Sequence, residues 1–511
     1  MGFTHQAAFA TGGLLLSRLL GFARDAALAW LLGTGGAADA LSVALRLPYA
    51  FRKLLGEGGL SLSLTVACTA GRTPELASLA VRQLLIRVIP WLLIALLAAP
   101  ALAMALAPGL TPACCIQAAQ LLRLTLPYGC FALLAAGFMA RLHAERHFAL
   151  PGMIPAVFNL TVLAAAGGAL WLAGDAETGA RWFAWGVLVG GMAQWMLAGG
   201  LVRRGMVRRT PPWPAPSAQA VQRAMAAFVP GVLAAAVPQL AFLLSAVAAS
   251  LFEGGPASFF FAERLLEFPL AISAVGINLA LTPLVAALTA RDPTGSSRSE
   301  ALGVAFALPL LLTLPAAAGL VACARPVVSL LLEYGAFDAS ASDQTAQLLA
   351  VLSLSLPACA VVRPLLVINH AIAGGRRLGL RAVIALGAAL VSGYTLATQY
   401  ALFHAPAIGV CVGLWLHALL LWLPARQRMD LRPVRPVLLC SCLGSLAAWF
   451  AASALICHGG TAGWPLAATL GAAVTMGVLG WLLCMLPVAS VLRRMVLRLN
   501  GRLEAAPYCL S

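Results

Sequence analysis

A chain of 511 residues that is 61% hydrophobic and only 10% charged carries far more apolar residue than a soluble core needs, so a polytopic membrane protein is expected. The formal charge of +16 does not point to nucleic acid, because the basic residues recur in short loops and form no stripe on a soluble domain. Runs long enough to span a bilayer, about 20 residues each, predict helical segments at 7–32, 37–67, 83–107, 118–141, 151–173, 182–202 and 219–250. They continue at 257–289, 300–323, 344–371, 378–400, 406–424, 436–457 and 463–486. The expected fold is therefore all-α, with fourteen transmembrane segments. Arg18, Arg24 and Asp25 interrupt the first run, so it reads as a span and not as a cleavable leader.

Loop charge gives the orientation. Loops after even-numbered segments carry Arg72, Arg141 and Arg146, Arg203 to Arg209, Arg291 and Arg298, Arg376 and Arg377, and Arg426 and Arg428. Loops after odd-numbered segments carry Asp175, Glu177, Glu253, Glu333, Asp338 and Asp343, with only Arg181 and Arg325 opposing. The positive-inside rule then places both termini in the cytoplasm. The Pro-rich stretch 203–218 reads as a basic cytoplasmic linker between a lobe at 1–202 and a second lobe at 219–425. Residues 426–486 supply the last two segments, and 487–511 form a basic cytoplasmic tail.

The two lobes echo each other. Leu126-Pro127 followed by Arg146 matches Leu356-Pro357 followed by Arg376, and Gly36 before Arg46-Leu47 matches Gly254 before Arg264-Leu265. Six segments per half is even, so the halves relate by an axis along the membrane normal.

The charges inside apolar segments carry the chemistry. A cation at the bilayer centre costs roughly 2.5–3.5 kcal/mol on insertion scales, so such residues usually face a polar path. Segment 1 puts Ser17, Arg18, Gly21, Arg24 and Asp25 on one helical face. Segment 2 carries Asp39, Arg46, Arg52, Lys53 and Glu57, with Pro48 expected to kink it; segment 8 carries Glu263, Arg264 and Glu267. Buried ion pairs such as Arg18 with Asp25, or Arg264 with Glu267, are one use of these residues. The excess of cations favours the other use: Arg18, Arg24, Arg52 and Arg264 around a central cavity that binds a phosphate-bearing ligand through planar guanidinium forks. The remaining residues of the three groups then support the cavity or its gating.

Catalytic chemistry finds little support. His143 and His147 stand four apart in a basic loop with no metalloprotease frame, and no P-loop occurs, so no metal, cofactor or catalytic residue is expected. The twelve cysteines read as small core hydrophobes, and the glycine pairs at 12–13, 167–168, 190–191 and 199–200 as close helix contacts.

With those residues in view, the chain resembles the MurJ/MviN lipid II flippases of the multidrug/oligosaccharidyl-lipid/polysaccharide exporter superfamily. The resemblance rests on Ser17-Arg18-Leu19-Leu20-Gly21-Phe22-Ala23-Arg24-Asp25, Ala38-Asp39-Ala40, Leu47-Pro48 and Phe51-Arg52-Lys53 through Glu57-Gly58. Ala262-Glu263-Arg264-Leu265-Leu266-Glu267-Phe268-Pro269, Tyr334-Gly335-Ala336-Phe337 and the stretch from Leu142 to Asn159 add to it. It implies two six-helix lobes around a cation-lined cavity, two extra helices forming a groove for a lipid tail, and an undecaprenyl-diphosphate-linked substrate. The substrate would cross from the cytoplasmic to the periplasmic leaflet by alternating access. Lipid II, the surrounding membrane lipids and cell-wall synthesis enzymes are the implied partners of a monomer, with nucleic acid excluded. Some members bind sodium through acids on segments 7, 11 and 12; residues 231–250 and 381–426 contain no Asp or Glu here. Competing readings are a flippase for another polyprenyl-linked polysaccharide, a drug exporter, and a non-transporting scaffold. A cationic drug would want carboxylates in excess, the reverse of this charge balance.

Overall fold

A computed structural model describes residues 3–53, 75–144, 149–202, 236–270, 296–370 and 375–491. Among these the secondary structure is helical, without strands. The first helices are α1 (Phe3–Leu32), α2 (Gly36–Phe51), α3 (Glu75–Leu97), α4 (Ala99–Leu106), α5 (Pro112–Thr125) and α6 (Tyr128–Ala144). Then come α7 (Ala149–Leu172), α8 (Ala176–Leu201), α9 (Ala236–Ala249), α10 (Gly255–Leu270), α11 (Ser296–Leu332) and α12 (Ala339–Ser353). The chain continues through α13 (Leu356–His370), α14 (Gly375–Tyr400), α15 (Ala405–Ala425), α16 (Arg435–Thr461) and α17 (Leu466–Met485). Each predicted segment overlaps a described helix. Nine helices among the described residues are long and apolar enough to cross a membrane, or ten if the bent α3–α4 pair is one span. The predicted linker at 203–218 lies outside the described residues, as does most of the tail.

Two compact units form, one from Met1–Phe261 with Leu332–Ala341, the other from Ala262–Leu331 with Ser342–Ser511. In the first, α1 packs on α7, α7 on α8, and α2 on α5. Small residues allow the close approach that replaces the hydrophobic drive in lipid. Of the predicted glycine pairs, 190–191 meets Phe158 and Tyr128 directly, whereas Gly167 has open space around it. In the second unit α14 packs on α15 and α16 on α17, with Cys323 clustered against Ala452 and Ala473 of the last hairpin. The outer faces of that hairpin expose Leu443, Phe450 and Leu483, suited to acyl chains. Among the described residues the cysteines are all free.

Prolines decide where helices bend, and α5 repairs the damage. Segment 3, expected as one run, instead turns by 82° between α3 and α4. Pro100 has no N–H for the Leu96 carbonyl, and Arg123 Nε of α5 donates to that carbonyl at 3.2 Å. In α2, Pro48 likewise orphans the Ala44 carbonyl, which accepts from the fully buried Thr125 hydroxyl at 3.0 Å. Thr125→Val is isosteric and leaves that carbonyl unpaired. It should lower stability by about 1–3 kcal/mol, read as a depressed unfolding temperature in detergent. An unchanged temperature would show that Thr125 is not the carbonyl's needed partner. The echo between the halves has a local counterpart: α5 and α6 part at Leu126-Pro127, and α12 and α13 part just before Pro357.

The Tyr334–Phe337 motif forms a strap within the first unit. Ala336 N donates to Trp30 O at 2.9 Å, and buried Phe337 meets Phe261 edge-on, centroids 5.4 Å apart. Gly335 sits at φ 62°, where a Cβ would lie 1.6 Å from Trp30, so only glycine fits.

Candidate functional site

The charged face of α1 meets α7. Arg24 is 3% exposed and donates from Nε and one terminal nitrogen to Asp25 Oδ1, at 2.9 and 2.7 Å. Its other terminal nitrogen donates to Asn159 Oδ1 at 2.9 Å. Asn159 returns its amide to the Ser17 carbonyl at 2.7 Å and, more weakly, to the Ser17 hydroxyl at 3.4 Å. A side chain at Gly21 would press on that amide at 3.2 Å, which is why the residue between Ser17 and Arg24 is small. Ser17, Arg24, Asp25 and Asn159 thus form one buried network drawn from two helices.

The pairing of Arg18 with Asp25, one of the two uses that helical spacing allowed, does not occur, because Asp25 is engaged by Arg24 next to it. Arg18 is half-buried and makes no ion pair or hydrogen bond among the described residues. Three of the five Arg24 N–H groups are used, leaving one on each terminal nitrogen.

From α2, Arg52 approaches the same region. Its Cζ lies 5.5 Å from the Tyr49 ring centroid, and Arg24 Cζ lies 5.4 Å from that centroid. Phe158 borders Arg24 at 5.8 Å. Lys53 follows Arg52 and is half-buried. Glu57 lies outside the described residues.

Asp39 and Arg46 have a different task. At the start of α10 the N-cap is Gly254, which offers no side chain, and Pro256 has no N–H. Asp39, 4% exposed, accepts from Gly254 N at 3.1 Å and Ala257 N at 2.9 Å, the two amides a capping box would satisfy. Arg46 donates to Pro256 O at 3.4 Å and lies 5.7 Å from the Phe259 ring. Arg46 is therefore built into a helix junction.

In the second unit, Arg264 is 8% exposed and bonds Glu267 at 3.0 Å, the pairing expected from helical spacing. Glu263 beside it is half-buried. No group of three or more metal-type ligands occurs among the described residues. Sequence reasoning assigned no role to Asn159, Tyr49 or Phe158. A lone amide in the otherwise apolar segment 151–173 was the available signal for Asn159.

Residues 28–461 match the family described as "Lipid II flippase MurJ". A "Probable lipid II flippase MurJ" of Rhizobium meliloti is 30% identical over 379 residues, 71% of this chain and 69% of that protein. The "Lipid II flippase MurJ" of Burkholderia cenocepacia is 28% identical over 443 residues, 83% of this chain and 84% of its own length. Among solved structures, a lipid II flippase MurJ in an inward closed conformation superposes with a TM-score of 0.75 at 18% identity, covering 94% of this chain and 99% of that one. An inward-facing MATE family multidrug transporter of the MOP superfamily gives 0.62 at 17% identity over 82% of this chain and 98% of its own, so the fold is shared more widely than the substrate. With most of the chain matched, this protein belongs to the MurJ family of lipid II flippases.

Proposed function

We propose that this protein moves the undecaprenyl-diphosphate-linked peptidoglycan precursor from the cytoplasmic to the periplasmic leaflet by alternating access. Family membership supports the substrate class. The observation that carries the chemistry is Arg18: a half-buried guanidinium with no hydrogen-bond or ion-pair partner among the described residues, on the same helix as an Arg24 that keeps two unused donors. Such a pair suits an anionic oxygen-rich ligand better than a cationic one. Arg18, Arg24 and Arg52 would hold the diphosphate, and Arg264 on α10 is assigned the same task. Ser17, Asp25, Asn159, Glu263 and Glu267 orient them, while Asp39 and Arg46 fix the start of α10. The polyprenyl tail would remain in lipid or along α16 and α17, whose outer faces are apolar.

In this reading the chain is a transporter with no reaction of its own and no cofactor, acting as a monomer. Fourteen spans leave both termini in the cytoplasm, and the lobes at 1–202 and 219–425 flank the 203–218 linker. Membrane potential supplies the drive, a charge crossing it being worth about 2.3 kcal/mol per 100 mV. Residues 231–250 and 381–426 carry no carboxylate, so sodium is not expected to couple through them. The test is translocation of lipid II by the purified chain in liposomes at a fixed membrane potential. Movement is expected with or without sodium, and Arg18→Ala should lower it at least tenfold. Absence of lipid II movement in potential-bearing liposomes, with the chain folded, would overturn the function. Activity that returned only with sodium would overturn the coupling.

A further inference from the structure

Two positive side chains share one aromatic ring. Tyr49 is 1% exposed, and the Cζ atoms of Arg24 and Arg52 lie 5.4 and 5.5 Å from its centroid, inside the range of a cation–π contact. Arg24 comes from α1, while Arg52 stands one turn beyond Tyr49 at the end of α2, as its C-cap. Phe260 stacks on the Tyr49 ring at 6.4 Å and 27°, which restrains the ring's tilt. Two guanidinium groups drawn together repel each other; the Asp25 carboxylate offsets part of that repulsion at Arg24, and the negative face of the shared aromatic quadrupole offsets it further. The two Cζ atoms are held no more than about 11 Å apart by their common ring. A ligand with two linked phosphates can offer one to each guanidinium at ordinary charge-assisted distances of about 2.8 Å, whereas a single phosphate must share its oxygens between them.

We propose that Tyr49 is a positioning residue that sets the spacing of the Arg24 and Arg52 guanidiniums and thereby selects a lipid diphosphate over a lipid monophosphate. This rests on the reading that those arginines hold the phosphates. It adds a specificity element from an aromatic residue that neither its charge nor its spacing had marked.

The experiment measures binding of undecaprenyl diphosphate and undecaprenyl phosphate to the full chain in nanodiscs. Tyr49→Leu should lower diphosphate affinity about tenfold, the scale of two weakened cation–π contacts, and shift monophosphate affinity by less than about twofold. Tyr49→Phe should recover most of the lost affinity. If Tyr49→Leu fails to fold, stepwise fluorinated phenylalanines at position 49 keep the shape while draining the ring's negative face. Diphosphate affinity should then fall with each fluorine, a trend that a purely packing role would not produce. Unchanged diphosphate preference in the folded Leu variant, or a flat fluorination series, overturns the proposal. Arg18→Ala and Arg52→Ala serve as the second arm. If both bind the diphosphate lipid like the parent chain, the diphosphate reading itself fails; if both lose it while the position-49 series is flat, only the role of Tyr49 fails.

Discussion

Replacing Arg24 by Ala is expected to end lipid II transport and to destabilise the protein by about 3–5 kcal/mol, because Asp25 would be left buried and unpaired. Charge counting alone would have anticipated a loss of function at normal abundance. The network changes that expectation, since Arg24 both stabilises Asp25 and presents unused donors. The two effects separate in a second variant. Arg24→Ala combined with Asp25→Ala removes both charges, so abundance and unfolding temperature should recover while transport stays absent. Arg24→Lys keeps a charge beside Asp25 but loses the fork that reaches Asp25 and Asn159 together, and partial activity is expected. Transport by the double variant near the parent rate would show that Arg24 serves structure alone. It would remove one of the residues assigned to the diphosphate.

What the sequence made legible here was whatever depends on spacing along one helix. Ser17 and Arg24 share a face of α1 because they stand seven apart, and both bond the same Asn159. Arg264 finds Glu267 three residues on for the same reason. Leu126-Pro127 and Pro357 mark helix breaks because proline removes an amide wherever it falls. Pro100 carried the same information for the α3–α4 bend, yet hydropathy runs straight through it. Contacts between distant helices were not legible. Nothing near Asp39 announces that its partners are the amides of Gly254 and Ala257, over two hundred positions away. Tyr49 reads as one more apolar residue until α1 brings Arg24 to its ring. The family resemblance pointed to the same segments, and the interhelical bonds show which of their residues join helices: Arg24 to Asn159, and Asp39 and Arg46 to the start of α10.

Asp39→Ala should be the most damaging change outside the arginines. The first turn of α10 is unusually dependent on outside help. Gly255 N reaches Phe252 O, Ser258 N reaches Gly254 O, and Pro256 has no N–H, which leaves Gly254 N and Ala257 N to Asp39. Without the carboxylate both amides are buried and unpaired. The expected loss is about 2–4 kcal/mol, from the missing cap and the desolvated donors. Asp39→Asn keeps one carbonyl oxygen but turns an NH₂ toward the other amide, so about half the loss is expected. Hydrogen exchange localises the effect: the Ala257 amide should exchange much faster in Asp39→Ala, while amides in α16 and α17 keep their protection. Transport should fall with the frayed turn, because α10 also carries Glu263, Arg264 and Glu267. If Ala257 stays protected in Asp39→Ala, the carboxylate is not the cap. An essential Asp39 would then have to act on substrate or on a proton directly.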